Sequence, residues 1–421
     1  MARYLKKSSV EAKKRNIEVE DIVRRMLAEI EHDGDDAIRR YARDLDHWKE
    51  GFRVPEDTIR RVVDSQPETF KQDFAFCQRQ IQEFAKRQLD SMHEFEAEFG
   101  DGITLGQKLI PVRKVGCYIP GGKYPLVNAT LMSVGTARVA GCEHIVGCAP
   151  PRSPEGIFPP TLYGLHAAGA DEIYCIGGVQ ALAAMAYGLV GMRSVDLITG
   201  PGNAFVSEAK RQLFGVVGID LLAGPTEILI IADDSADPSL VATDLLGQAE
   251  HGPDSPAWLI TTSESLGRAV ITEVERQLES LPTRDIASRS WADFGEVVVT
   301  ESDDEAIEAS DRYAPEHLEV MTARDDYYLE NLRNYGSLFV GEESTVAYGD
   351  KGVGTNHTLP TSGAARYTGG LWTGKFIKTV TYQRLTREAS RRIAPTMARQ
   401  CEVEGMLAHK ITADVRRLRY K

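Results

Sequence analysis

The stretch LLGQAEHGPD, residues 245–254, sets Gln248 and His251 three apart at the end of an apolar run, just before Gly252 and Pro253. Asp237 and Pro238 open that run as N-cap and first helical residue. The spacing therefore predicts one helix over DPSLVATDLLGQAEHG, with both groups on one face of its last turn. Two chemistries suit the pair. The macrodipole at a helix C-terminus favours a histidine cation, which makes His251 a capping residue. A divalent metal takes the neutral imidazole instead, with the Gln248 carbonyl oxygen as a second, harder donor.

Nine histidines are present, and three others stand in distinctive settings: Glu316-His317 in APEHLEV, Asp350 and His357 in YGDKGVGTNHTLPT, and Glu404 and His409 in VEGMLAHK. Each alone reads as an ordinary surface or structural pair. Together they offer two imidazoles, a carboxylate and an amide for one divalent ion, and they leave Glu316 and His317 as a separate acid–base pair.

These groups need elements to hold them. The first hundred residues carry helical stripes, with Val19, Ile22, Val23, Met26, Leu27 and Ile30 recurring at three and four. From about residue 113 short apolar strands alternate with glycine turns and helical stretches: KVGCYIPGG before 126–141, EHIVGCAPP before GIFPPTLYGLHAAGA, EIYCIGG before VQALAAMAYG, and VDLITGPGNA before FVSEAKRQLF. Further strands are expected at 228–232, 257–261, 296–300 and 337–340. That alternation specifies an α/β protein with two doubly wound, mostly parallel sheets. Ligands gather at the carboxyl ends of such strands, here IPGG, IGGVQ and GPGN. None of these is GxGxxG, so they are either nucleotide-binding turns or tight turns of no special role.

Composition bounds the possibilities. The 421 residues exceed one small core. No apolar run reaches the length of a membrane span, and the basic start lacks the apolar core of a leader, so a cytoplasmic protein is expected. Six cysteines without CxxC spacing read as buried hydrophobes in a reducing compartment. A net charge of −13 argues against nucleic acid as a partner. From Arg366 to Lys421, however, 13 Lys and Arg face four Asp and Glu, a net +9 on a body of −22. Such a tail suits an arm docking on its own body or a neighbour's.

The motifs YIPGG, GPGNAFVSEAKRQ, AGPTEILIIAD, LLGQAEHGPDS, YAPEHL and GTNHTLPT, in this order, resemble the histidinol dehydrogenase family over nearly the whole chain. The resemblance implies an NAD-dependent oxidation of a primary alcohol through the aldehyde to the carboxylate. It implies one Zn2+ per subunit, held by Gln248, His251, Asp350 and His409, and an acid–base pair of Glu316 and His317. It places nucleotide contacts on Tyr118, Gln180 and Asn203, and substrate contacts on Thr226, His357 and Glu404 together with the metal donors and His317. It also implies an intertwined homodimer in which the C-terminal arm completes the neighbour's site. The expected organisation is an N-terminal helical arm at 1–30, a first α/β domain of 31–115 and 234–365 with the metal and acid–base residues, a nucleotide-side α/β domain of 116–233, and the basic arm 366–421.

Departures from the histidinol pattern bear on substrate. Thr226 replaces a serine, Lys351 replaces an aromatic residue, Lys123 enters the PGG loop, and Arg366, Lys375 and Lys378 stand in a stretch that is otherwise largely uncharged in the histidinol enzymes. This variant stretch resembles the subgroup that oxidises 2,3-dihydroxypropane-1-sulfonate to 3-sulfolactate. Added cations repel cationic histidinol and suit an anionic diol, and Arg366, with its guanidinium fork, is the first choice to hold the anion. L-Histidinol is the alternative substrate. A non-catalytic, zinc-stabilised dimer is the alternative of another class.

Overall fold

The computed structural model describes residues 3–10, 17–122 and 124–420. Lys123 lies outside them. The chain forms two compact units, one of residues 1–87 and 112–376, the other of 88–111 and 377–421.

The first unit holds two large sheets and a two-stranded one, Pro151–Ser153 with Gly156–Ile157. In the five-stranded sheet the order is Gly218–Ile219, Leu197–Thr199, Lys114–Tyr118, His144–Ala149, Glu172–Cys175, all parallel. Chain order reverses between Lys114–Tyr118 and Leu197–Thr199, which makes it doubly wound. The intervening helices fall where the apolar patterns place them, at Pro159–Ala168, Gly178–Tyr187 and Ala204–Leu213. The expected 126–141 helix is realised as a π turn, Leu131–Gly135, continued by Thr136–Val139. Cys117, Cys148 and Cys175 lie on three adjacent strands of this sheet and Cys142 just before one of them, and all four are buried.

The six-stranded sheet runs Arg3–Lys6, Glu296–Val299, Ala257–Thr261, Ile228–Ala232, His317–Met321, Ser337–Val340. Only the Arg3–Lys6 edge is antiparallel. Strand Ile228–Ala232 is apolar throughout because both its faces are covered. Ile228 and Ile230 pack with helices Pro238–Ala249 and Glu264–Leu278, whereas Leu229 and Ile231 pack with Asp303–Tyr313.

Three expected boundaries change. Strand Ile228–Ala232, assigned by sequence to the nucleotide side, is the centre of the six-stranded sheet. The residues from 31 onward do not join that sheet: Ala37, Ile38, Ala42 and Phe52 share a core with Tyr118, Val146 and the Val19–Ile30 stripe, under the five-stranded sheet. The expected N-terminal arm 1–30 is likewise divided, since Arg3–Lys6 is a strand and Ile17–Asp33 a core helix. Packing decides these cases, because an apolar stripe buries against whichever surface complements it, and local pattern does not say which.

The second unit is an antiparallel sheet, Ile377–Leu385, Ile103–Pro111, Phe95–Glu98, with helices Arg387–Val403 and Leu407–Arg419. No residue of Leu407–Arg419 is buried in the single chain, and Leu407, Ile411, Val415 and Leu418 form an exposed apolar stripe at helical spacing.

Candidate active site

A cavity of about 300 Å³ in the first unit is lined by Thr226, His251, Glu316, His317, Asp350 and His357, with Pro125–Asn128, Pro201 and Gly202 among the residues opposite. Its chemical wall is built where two parallel strands begin. Ile228 pairs with His317, so Glu227 and Glu316 sit side by side just ahead of the strands. Glu227 N donates to Glu316 Oε2 (3.1 Å), and the Thr226 hydroxyl donates to the same oxygen.

His317 is 3% exposed. Its Nδ1 lies 3.0 Å from the Glu227 carbonyl oxygen. A carbonyl only accepts, so this shorter contact puts the proton on Nδ1 and the lone pair on Nε2, with Gln248 Nε2 a more distant neighbour of the same Nδ1 at 3.3 Å. That Nε2 is buried, has no hydrogen-bond partner among the described residues, and lies 3.9 Å from Asp350 Oδ1. His357 repeats the arrangement: Nδ1 donates to the Asp350 carbonyl oxygen (2.9 Å) and Nε2 is buried without a partner.

Burial dominates the electrostatics. It lowers the pKa values of His317, His251 and His357, with Asp350 opposing the shift in each case. The imidazoles are therefore neutral. For His251 the lowered pKa argues against a capping cation and is compatible with the neutral imidazole that a metal would take. Burial raises Glu316 well above the ordinary carboxylate range, the Thr226 and Glu227 hydrogen bonds oppose this, and the nearby Glu227 and Asp350 carboxylates add to it. Glu227 is pushed up to about 7, again by burial.

The helix that delivers Gln248 starts as its sequence specifies, with Asp237 accepting from Ser239 N (2.8 Å) and Pro238 in its first turn, but it ends at Ala249 with Glu250 as C-cap, so His251 sits in the turn just past it and not in its last helical turn. Gln248 is buried behind Thr226, donating its amide to the hydroxyl, and its carbonyl oxygen accepts no hydrogen bond from the described residues. Asp350 comes from the short helix Val346–Lys351. The donor set of an amide oxygen, a neutral imidazole and a carboxylate fits zinc in kind. Among the described residues no three His, Cys, Asp or Glu are grouped as a metal site. His409 and Glu404 belong to the second unit, both exposed.

The carboxyl ends of the five-stranded sheet supply the turns. Tyr118 is buried and its hydroxyl accepts from Gly178 N (3.2 Å). Gln180 donates to Asp46 (2.8 Å), leaving its Oε1 buried and unpartnered. Asn203 caps Ala204–Leu213, accepting from Phe205 N and Val206 N (both 3.1 Å). Gly200 has φ +121°, and a Cβ there would lie 2.0 Å from the Tyr118 carbonyl oxygen, so only glycine fits. Its N–H donates to Asp220 (2.9 Å) and its carbonyl accepts from Lys210 (3.0 Å), two residues joined in a buried ion pair.

Of the basic residues singled out by sequence, Lys351 lines the cavity, with Nζ 3.9 Å from Asp350 Oδ2 and its side chain 64% exposed. Arg366 is exposed on the turn Ala364–Arg366, with its guanidinium beside Gly363, and is not part of the lining. Lys378 is in the second unit. Sequence reasoning missed Glu227, Asp46 and the Lys210–Asp220 pair. The available signal for Glu227 was an acidic residue placed directly before a fully apolar strand.

A sequence model described as histidinol dehydrogenase matches residues 9–417. A histidinol dehydrogenase homolog of Shouchella clausii is 52% identical over 100% of both chains. The sulfopropanediol 3-dehydrogenase of Ruegeria pomeroyi is 47% identical, covering 99% of this chain and 96% of that one. The crystal structure of histidinol dehydrogenase from Elizabethkingia anophelis superposes with a TM-score of 0.90 at 35% identity, over 97% of this chain and 94% of the other.

Proposed function

The chain belongs to the histidinol dehydrogenase family of NAD-dependent oxidoreductases acting on CH–OH groups, and from that premise we propose that it oxidises 2,3-dihydroxypropane-1-sulfonate to 3-sulfolactate. The overall change is RCH2OH + 2 NAD+ + H2O → RCOO− + 2 NADH + 3 H+. The observation that carries the chemistry is the lone pair on His317 Nε2, buried, unpartnered and held in one tautomer beside Glu316 and Asp350.

His317 Nε2 takes the hydroxyl proton while hydride leaves the same carbon for the nicotinamide. Glu316, as its carboxylate, takes a proton from the water that adds to the aldehyde, and the raised pKa makes that carboxylate the stronger base. The hydrate then gives up the second hydride. Gln248, His251 and Asp350, with His409 from a second copy, would hold one zinc per subunit, which supplies Lewis-acid stabilisation of a substrate oxygen. Thr226 and His357 face the substrate, and Glu404 joins them from the second copy's arm. The apolar stripe on the helix bearing His409 supports that homodimer, since it has no cover in the single chain.

NAD is assigned to the carboxyl edge of the five-stranded sheet, near Tyr118, Gln180 and Asn203. Helices Gly178–Tyr187 and Ala204–Leu213 both begin there, and their N-termini favour a pyrophosphate. Among the described residues, Lys351 replaces Arg366 as our choice for the sulfonate, because it lines the cavity. The sulfopropanediol 3-dehydrogenase relative favours the same substrate. The reaction belongs in the cytoplasm, where unpaired cysteines such as these six persist.

L-Histidinol is the second reading, favoured by the fold shared with the Elizabethkingia enzyme. NADH formation by the purified protein on both alcohols separates the readings. Two NADH per sulfonated diol and little turnover of histidinol are expected; the reverse overturns the substrate assignment. No NADH from any alcohol would favour a non-catalytic zinc dimer.

A further inference from the structure

Behind the cavity wall lies a second group of buried acids with no part in the chemistry above. Glu319 is two residues after His317 on the same strand, hence on the same face of the sheet, and is 0% exposed. Its Oε1 accepts from Val346 N (3.0 Å), the first residue of the helix that carries Asp350. The N-cap residue of that helix, Thr345, makes no side-chain cap. Its hydroxyl donates to Asp244 Oδ1 instead (3.0 Å). Asp244 lies one turn before Gln248 on helix Pro238–Ala249.

The remaining oxygen, Glu319 Oε2, is buried without a hydrogen-bond partner among the described residues, and the Glu319 and Asp244 carboxyls are near enough to interact. Two carboxylate oxygens in contact away from water repel unless a proton lies between them. Each carboxyl already accepts one hydrogen bond, Glu319 from Val346 N and Asp244 from Thr345, so one proton is shared between their remaining oxygens. Burial pushes both groups up, in keeping with one shared proton.

The pair thus touches three elements, each bearing one group of the site: the strand of His317, the helix of Gln248 and the helix of Asp350. We propose that Glu319 and Asp244 form a proton-sharing carboxyl pair that positions Asp350 and Gln248 relative to His317. Both are positioning residues, and neither lines the cavity. An apolar replacement would fill the volume but leave the Val346 N–H buried without an acceptor and the helix start free to shift. The inference rests on the reading of Gln248 and Asp350 as metal donors.

A double-mutant cycle in the full-length dimer tests it, with zinc alone as the probe, titrated against a competing chelator, and with kcat and KM measured alongside. Glu319→Gln keeps the acceptor for Val346 and donates an amide N–H to Asp244. Asp244→Asn keeps the acceptor for Thr345 and donates to Glu319. Each single variant is expected to hold zinc close to wild type. The double variant sets two amide NH2 groups against each other, and its zinc affinity should fall about 10- to 100-fold, the usual effect of losing a group that orients a metal ligand. A double variant that matches the singles overturns the proposal, as does a single variant as damaged as the double. Should the double variant not fold, Thr345→Val decides: it removes only the tether from Asp244 to the helix start, and an unchanged zinc affinity overturns the proposal. A wild-type protein that binds no zinc removes the donor reading first, and the inference with it.

Discussion

The six-stranded sheet meets the cavity with the amino ends of its strands, and the five-stranded sheet meets it with the carboxyl ends of its own. Glu227, Glu316 and His317 stand where strands begin; Pro201, Gly202 and Pro125–Asn128 follow where strands have ended. Helix polarity follows from this. Helices returning to an amino edge arrive with their C-termini, as Pro238–Ala249 and Val346–Lys351 do at Gln248 and Asp350, and that end favours a cation. Helices leaving a carboxyl edge present their N-termini, which favour an anion. The same α/β architecture thus gives one wall suited to a metal and a proton-transfer pair, and another suited to a dinucleotide, with only the direction of approach differing.

The comparison is tested most sharply at the amino edge. His317→Asn removes the proposed general base and should lower kcat about 10²- to 10⁴-fold, with zinc content measured by metal analysis unchanged. Loss of zinc together with activity would put His317 on the metal and blur the division between walls. At the carboxyl edge the expected damage is to folding rather than chemistry. Lys210→Met leaves Asp220 charged, buried and unpaired, and should cost about 3–5 kcal/mol in urea unfolding. A variant as stable as wild type would show that the pair does not hold the Gly200 turn.

A third prediction concerns pH. Burial pushes Glu227 up to about 7 from an ordinary 4.5, so between these values the unfolded chain loses a proton that the folded chain keeps. Its contribution is fully present below pH 4.5 and is lost as pH rises to about 7, at roughly 1.4 kcal/mol per unit and at most about 3 kcal/mol. Glu227→Gln should remove that slope from the stability profile while adding a constant offset, because one amide N–H then faces a backbone donor. Parallel profiles would sink the assignment. The smallest effect is expected for Lys351→Gln: KM for the sulfonated diol should rise about 10- to 100-fold, the loss of one charge-assisted contact of roughly 1.5–3 kcal/mol, with little change for an uncharged diol. Equal changes on both substrates would mean that Lys351 acts through Asp350 and not on the anion.

Much of this was legible from residue order. The strands at 228–232, 257–261 and 337–340 and the capped helix at Asp237 follow from apolar runs and cap chemistry, which are local. Clustering of His251, His317, Asp350 and His357 was legible only through the resemblance, because nothing local brings residues a hundred apart together. IPGG, IGGVQ and GPGN do follow strands at their carboxyl ends, whereas Glu316-His317 opens one, and a motif ahead of a strand carries no mark of which edge faces the cavity. The antiparallel sheet of the second unit was not foreseen: Ile377 pairs with Pro111 across more than half the chain. Arg3–Lys6 is too short and too polar to announce a strand, and its pairing comes from Glu296–Val299.

The cysteines make the two sheets separately readable in time. Cys117, Cys148 and Cys175 thread adjacent strands of the five-stranded sheet, Cys142 lies beside them, and the segment from Ile228 to Lys351 contains no cysteine. Burial pushes the thiols of Cys117, Cys142 and Cys175 up to about 12, so in the closed sheet they are protonated and shielded, and a thiol reagent finds nothing to attack. Labelling can proceed only through opening, at a rate equal to the open fraction multiplied by the reactivity of a free thiol when reclosure is fast. Mass spectrometry of the labelled peptides therefore gives a clock for one wall of the cavity alone. Comparing that clock with amide exchange in Ile228–Ala232 would show whether the five-stranded wall breathes while the six-stranded wall stays shut.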